Sequence, residues 1–99
     1  MIYVIATSHI KPEHRDKFLQ ILKANVPLVL AEEGCIFYEP CLDNTEIDRE
    51  TNPDAVTIVE AWQSIEHLKA HFEAPHMKTF VEAVKDLRLS SSVKIVEPA

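Results

Sequence analysis

The stretch from Val56 to Met77, VTIVEAWQSIEHLKAHFEAPHM, constrains this chain more than any other. It opens on the β-branched run Val56-Thr57-Ile58-Val59-Glu60-Ala61-Trp62, which ends in the only tryptophan and predicts a central strand. Ser64 is the expected N-cap of a helix over Ile65 to Glu73. Pro75 ends that helix, because it has no N–H and pushes Ala74 out of the α region. Leu68, His71 and Phe72 share one helical face by their i, i+3, i+4 spacing. A histidine therefore points where the apolar side chains point, toward the core and Trp62.

The flanks supply the rest of a sheet. Ile2 to Ser8 reads as a strand with apolar residues on both faces, so both faces should be covered. Lys11-Pro12 starts a helix, with Glu13 near the positive end of its dipole. Phe18, Ile21, Leu22, Val26, Val29 and Leu30 form its apolar stripe, and Pro27 should kink it near Lys23. Gly34, the single glycine, is the expected left-handed cap.

Cys35 to Leu42 follows as a strand, with Pro40 marking an edge or bulge. Residues 43–54 form a polar loop, long enough to be mobile or functional, and without the turn glycine of an EF-hand. After Pro75, Met77, Phe80, Val81, Val84 and Leu87 give another helical stripe. Ser90-Ser91-Ser92 reads as a turn and Val93 to Val96 as a last short strand.

The order β-α-β-β-α-β predicts an α+β ferredoxin-like domain over residues 1–99, with a four-stranded antiparallel sheet. Helices on one side leave the other sheet face bare, and a second copy in a homodimer is the economical cover.

Composition narrows the function. The net charge of −6 disfavours nucleic acid and anionic membranes as partners. The opening MIYVIATSHI lacks a basic n-region and a long apolar stretch, so a cytoplasmic protein is expected. Cys35 and Cys41 would lie roughly 20 Å apart along one strand, against about 5.5 Å in a disulfide, and read as free thiols. A buried, inert Cys35 is the better reading at a helix C-terminus. No glycine-rich loop is present for a nucleotide. His67 and His71 have i, i+4 spacing, but HLKAH lacks the glutamate of H-E-x-x-H, so no metal is expected.

Glu32-Glu33-Gly34-Cys35, Val59-Glu60-Ala61-Trp62-Gln63-Ser64, Leu68-Lys69-Ala70-His71-Phe72 and Ala74-Pro75-His76-Met77 together resemble the antibiotic biosynthesis monooxygenase superfamily, and its small quinol-monooxygenase-like members in particular. The resemblance spans nearly the whole chain. It implies a dimeric α+β barrel with a pocket in each subunit between sheet and helices. It also implies oxidation of a quinol-like or phenolic aromatic by O₂ with no metal, flavin or haem. Such a substrate must supply its own electrons. Removing its phenolic proton, of pKa about 10, gives an anion that can reduce O₂. The protein must then provide a base, an apolar pocket and donors for the oxyanion.

His71 is the candidate base, and Glu60 is expected to pair with a histidine or lie near the pocket. The competing reading of His71 is a buried histidine that only holds structure. Trp62 could wall the substrate or belong to the core. Tyr38 and Tyr3 offer phenolic donors, Phe72 an aromatic contact, and His76 either a pocket mouth or a cap for its turn. Three rival functions stand beside the monooxygenase. A haem-binding or haem-degrading relative would carry Asn where this chain has Thr7. A phospho-sugar-signal isomerase would need a cationic cluster. The third rival is a non-catalytic dimeric binding module.

Overall fold

A computed structural model describes residues 1–47 and 50–99 of the chain; the two remaining positions belong to the predicted 43–54 loop. Strand β1 runs Ile2–Ile10, followed by a 3-10 turn at Pro12–His14 and helix α1 at Arg15–Leu30. Strands β2, Cys35–Leu42, and β3, Ala55–Trp62, come next. Helices α2, Ile65–Glu73, and α3, Pro75–Val84, lead to strand β4, Arg88–Val96. The sheet order is β2-β3-β1-β4, with every neighbouring pair antiparallel. The fold is thus α+β, with a four-stranded antiparallel sheet.

Local chemistry sets the boundaries of α2. The Ser64 side chain accepts from the His67 N–H, one of the donors that a helix start leaves unsatisfied. Ala74 is extended ahead of Pro75, so the helix breaks and α3 starts in a new direction. Gly34 has φ +83°, as a left-handed helix cap requires. A Cβ there would also collide with the His67 ring. The Gly34 carbonyl accepts from the Gln63 N–H at 2.8 Å, tying this turn to the end of β3.

The core lies between one sheet face and the helices. Phe18, Leu22 and Val29 of α1 are buried, with Ile21 and Val26 packed at the margin. Leu30, expected in that stripe, is 48% exposed. Asn25 takes the buried position instead, and its Nδ2 donates to Met77 Sδ at 3.3 Å between α1 and α3. α1 continues through Pro27 to Leu30.

Two expectations are corrected on the sheet. The serines at 90–92 do not turn; they lie inside β4 and pair with His9, Ser8 and Thr7 of β1. An exposed edge strand is held by its backbone ladder, so weak strand formers are tolerated there. The uncovered face is not uniformly apolar either. Tyr3, Ile5, Val59 and Ala61 share it with Thr7, Thr57, Ser92 and Lys94. The Thr7 and Thr57 hydroxyls lie 3.2 Å apart on that face.

Candidate active site

Antiparallel register places alternate side chains of β1, β2 and β3 on the helix-covered face. Val4 lies beside Glu60, and Tyr38 lies on the other side of Glu60. Ala6, Ile58, Phe18 and Phe80 complete an apolar cavity of about 180 Å³ beneath α2 and α3. Glu60, Tyr38 and His71 line it at one end. Ser8, Arg88 and Ser91 line it at the other.

His71 is 1% exposed, on the inward face of α2. Its ring packs on Trp62 with centroids 4.6 Å apart, and meets the rings of Tyr38 at 5.8 Å and Phe72 at 5.7 Å. Nδ1 lies 2.7 Å from Glu32 Oε2. An ionised carboxylate only accepts, so Nδ1 donates and the neutral ring keeps its lone pair on Nε2. The same Glu32 oxygen lies 2.9 Å from His76 Nε2. Burial lowers the His71 pKa from its ordinary value, and the Glu32 hydrogen bond and charge oppose that shift only in part. A positive charge on His76 lowers it further.

Glu60 is 4% exposed and accepts from Trp62 Nε1 at 2.9 Å through Oε1. Burial pushes its carboxyl up to about 7 despite that hydrogen bond, and the charge of Glu32 adds to the rise. Burial, then the charges of Glu60 and Glu32, hold Tyr38 well above the usual phenol range, so it remains a neutral donor.

The predicted set is therefore only partly assembled. His71, Glu60, Tyr38 and Phe72 line the cavity. Phe72 is 45% exposed and stands at the rim, where a core anchor was expected. Trp62 is fully buried; it backs His71 and holds Glu60 without lining the cavity. Tyr3 shares the opposite sheet face with Ile5, because one residue of register along a strand reverses the side. His76 makes no cap bond at α3; its partner is Glu32. The expected carboxylate partner of His71 is also Glu32 and not Glu60. Glu32 was visible within E-E-G-C, but a contact spanning 39 residues has no local signature. The signal was Gly34, whose turn docks against the start of α2 and carries Glu32 with it.

His67 does not join His71. Its Nδ1 lies 2.7 Å from Ser64 Oγ. Among the described residues no group of three His, Cys, Asp or Glu side chains could hold a metal. Cys35 and Cys41 are free, and burial, with Glu32 and Glu60 adding, raises the Cys35 thiol to about 11. That thiol is inert at neutral pH. No helix among the described residues is long and apolar enough to cross a membrane.

The antibiotic biosynthesis monooxygenase family profile matches residues 1–83. The chain belongs to this family. It is 39% identical to the probable quinol monooxygenase YgiN of Escherichia coli (strain K12), over 99% of this chain and 98% of that protein. A solved protein of Methanosarcina mazei Go1 superposes with a TM-score of 0.89 at 25% identity, covering 99% of this chain and 92% of the other. A crystal structure described as an antibiotic biosynthesis monooxygenase gives a TM-score of 0.87 at 23% identity, covering 100% of this chain and 99% of that one. The family match and the likeness to YgiN support a monooxygenase type of function, and the solved structures show the fold.

Proposed function

We propose that this chain is a cofactor-independent monooxygenase that oxidises a quinol-like or phenolic aromatic with O₂, and that it works as a homodimer. The observation that carries the reading is His71, a neutral imidazole whose Nδ1 is held by Glu32 at the edge of an apolar cavity. Its Nε2 lone pair removes the substrate proton. Glu32 stabilises the imidazolium that forms, as carboxylates do for histidine bases. Tyr38, and Glu60 while protonated, donate to the substrate oxygen as negative charge develops.

The balance needs no outside reductant. A reduced aromatic SH₂ and O₂ give SO and H₂O: the substrate supplies all four electrons, one oxygen atom enters the product and the other leaves as water with the two hydrogens. The apolar walls Phe18, Phe80 and Ile58 exclude bulk water from the anion. The matched family and the quinol monooxygenase relative support this chemistry. The uncovered sheet face, with Tyr3, Ile5 and Val59, supports association with a second copy. Oxygen consumption by metal-stripped protein over a panel of hydroquinones tests the proposal. Uptake above the autoxidation rate is expected; its absence across the panel would leave a binding module.

A further inference from the structure

The cavity has two polar ends of opposite chemistry. At the His71 end, Glu60 stands beside Val4 of β1. At the far end Ser8, four residues along the same strand, faces the cavity with Ser91 as its cross-strand neighbour. Four residues of strand separate the two ends by roughly 13 Å. Arg88 lines this far end, with Nη1 3.4 Å from the buried Ser8 Oγ.

Arg88 is half-buried, in a chain carrying a net charge of −6. Among the described residues it nevertheless forms no ion pair. The side-chain hydrogen bond it does make among the described residues, to Ser8 Oγ at 3.4 Å, is long. A guanidinium offers five donors in a planar fork that matches a carboxylate. With the Ser8 hydroxyl beside it and Ser91 lining the same end, this end of the cavity is rich in donors. A neutral hydroquinone bound at His71 would leave those donors unmatched.

We propose that this end is an anion subsite, and that the substrate is a bicyclic phenol or hydroquinone with a carboxylate on the ring remote from the reacting hydroxyl. That this ligand is turned over rests on the monooxygenase reading, whereas the subsite itself concerns binding alone. One ring beside His71 and Tyr38 cannot span the distance to Arg88. Two fused rings with a carboxylate can. The phenolic end then meets the base while the fork of Arg88 fixes the molecule's direction.

Titration calorimetry with 6-hydroxy-2-naphthoate and 2-naphthol, two ligands differing only in the carboxylate, tests the subsite without turnover. Wild-type protein is expected to bind the carboxylate at least roughly 10-fold more tightly, the gain of a charge-assisted bidentate contact. Arg88→Met should erase that preference while leaving 2-naphthol binding unchanged, which also shows that the variant is folded. Arg88→Lys, which preserves charge without the fork, should retain part of it. Equal affinities in the wild type, or a preference that survives Arg88→Met, would overturn the proposal.

Oxygen uptake with 1,4-dihydroxynaphthalene and its 6-carboxylate separates the two readings. An Arg88-dependent binding preference with no uptake from either compound keeps the subsite and removes the monooxygenase. Uptake from both, with the same KM in wild type and Arg88→Met, removes the subsite and keeps the monooxygenase.

Discussion

Tyr38 and Tyr3 are both strand tyrosines, set on opposite faces of one sheet. Tyr38 lies under the helices, 2% exposed, with Glu60 and His71 beside it. Tyr3 lies on the uncovered face, among Ile5, Val59 and Ala61. Burial under α2 and α3 perturbs the titrating groups: Glu60 rises to about 7, His71 falls, and Tyr38 rises. On the uncovered face the threonine pair Thr7 and Thr57 and the apolar residues around it offer surface, not acid–base chemistry. In the proposed function, the covered face moves protons and the uncovered face meets a second copy.

The largest effect is expected at His71. His71→Gln should lower turnover by roughly 10² to 10⁴. Because His71 is fully buried and holds Glu32, the variant should also lose several degrees of melting temperature, so rates are compared below its transition. A variant that keeps its rate would make His71 structural.

The tyrosine pair gives the next effect. Tyr38→Phe removes a donor from the cavity and should cost about 10-fold or more in kcat, whereas Tyr3→Phe should leave kcat and KM unchanged. Equal losses in the two would mean that the faces are not functionally distinct. A smaller effect on turnover is expected from Val59→Lys, which places a charge on the uncovered face. Sedimentation should then show a species of 11.3 kDa in place of a dimer, with turnover per protomer retained. A wild-type monomer would refute the proposed partner surface.

Legibility in the sequence followed the range of the forces involved. The bounds of α2 and β2 were readable to the residue, because Ser64, Pro75 and Gly34 act on their own turns. The Glu60–Trp62 bond was also within reach, since residues two apart on a strand share a face. β4 was not, because its serines are held by the β1 ladder and not by propensity. Nor was the link from Glu32 to His71 and His76, which only the docking of the Gly34 turn creates. His71 was placed inward from helical spacing alone, while Phe72, one position further, escaped to the rim.

The dependence of kcat/KM on pH, in wild type, Glu60→Gln and His71→Gln, tests the central claim most directly. His71 must be neutral to accept a proton, and its pKa is depressed, so activity should fall only as pH drops below its ordinary value of about 6.5. Glu60 must be protonated to donate, so activity should also fall as pH rises through about 7. The wild-type profile should be a narrow bell. Glu60→Gln retains a donor and should lose the alkaline limb alone, while His71→Gln should be roughly 10² or more slower with no acid limb. A His71→Gln variant that keeps its rate and loses activity as pH falls through about 7, together with an inactive Glu60→Gln, would make ionised Glu60 the base and contradict that claim.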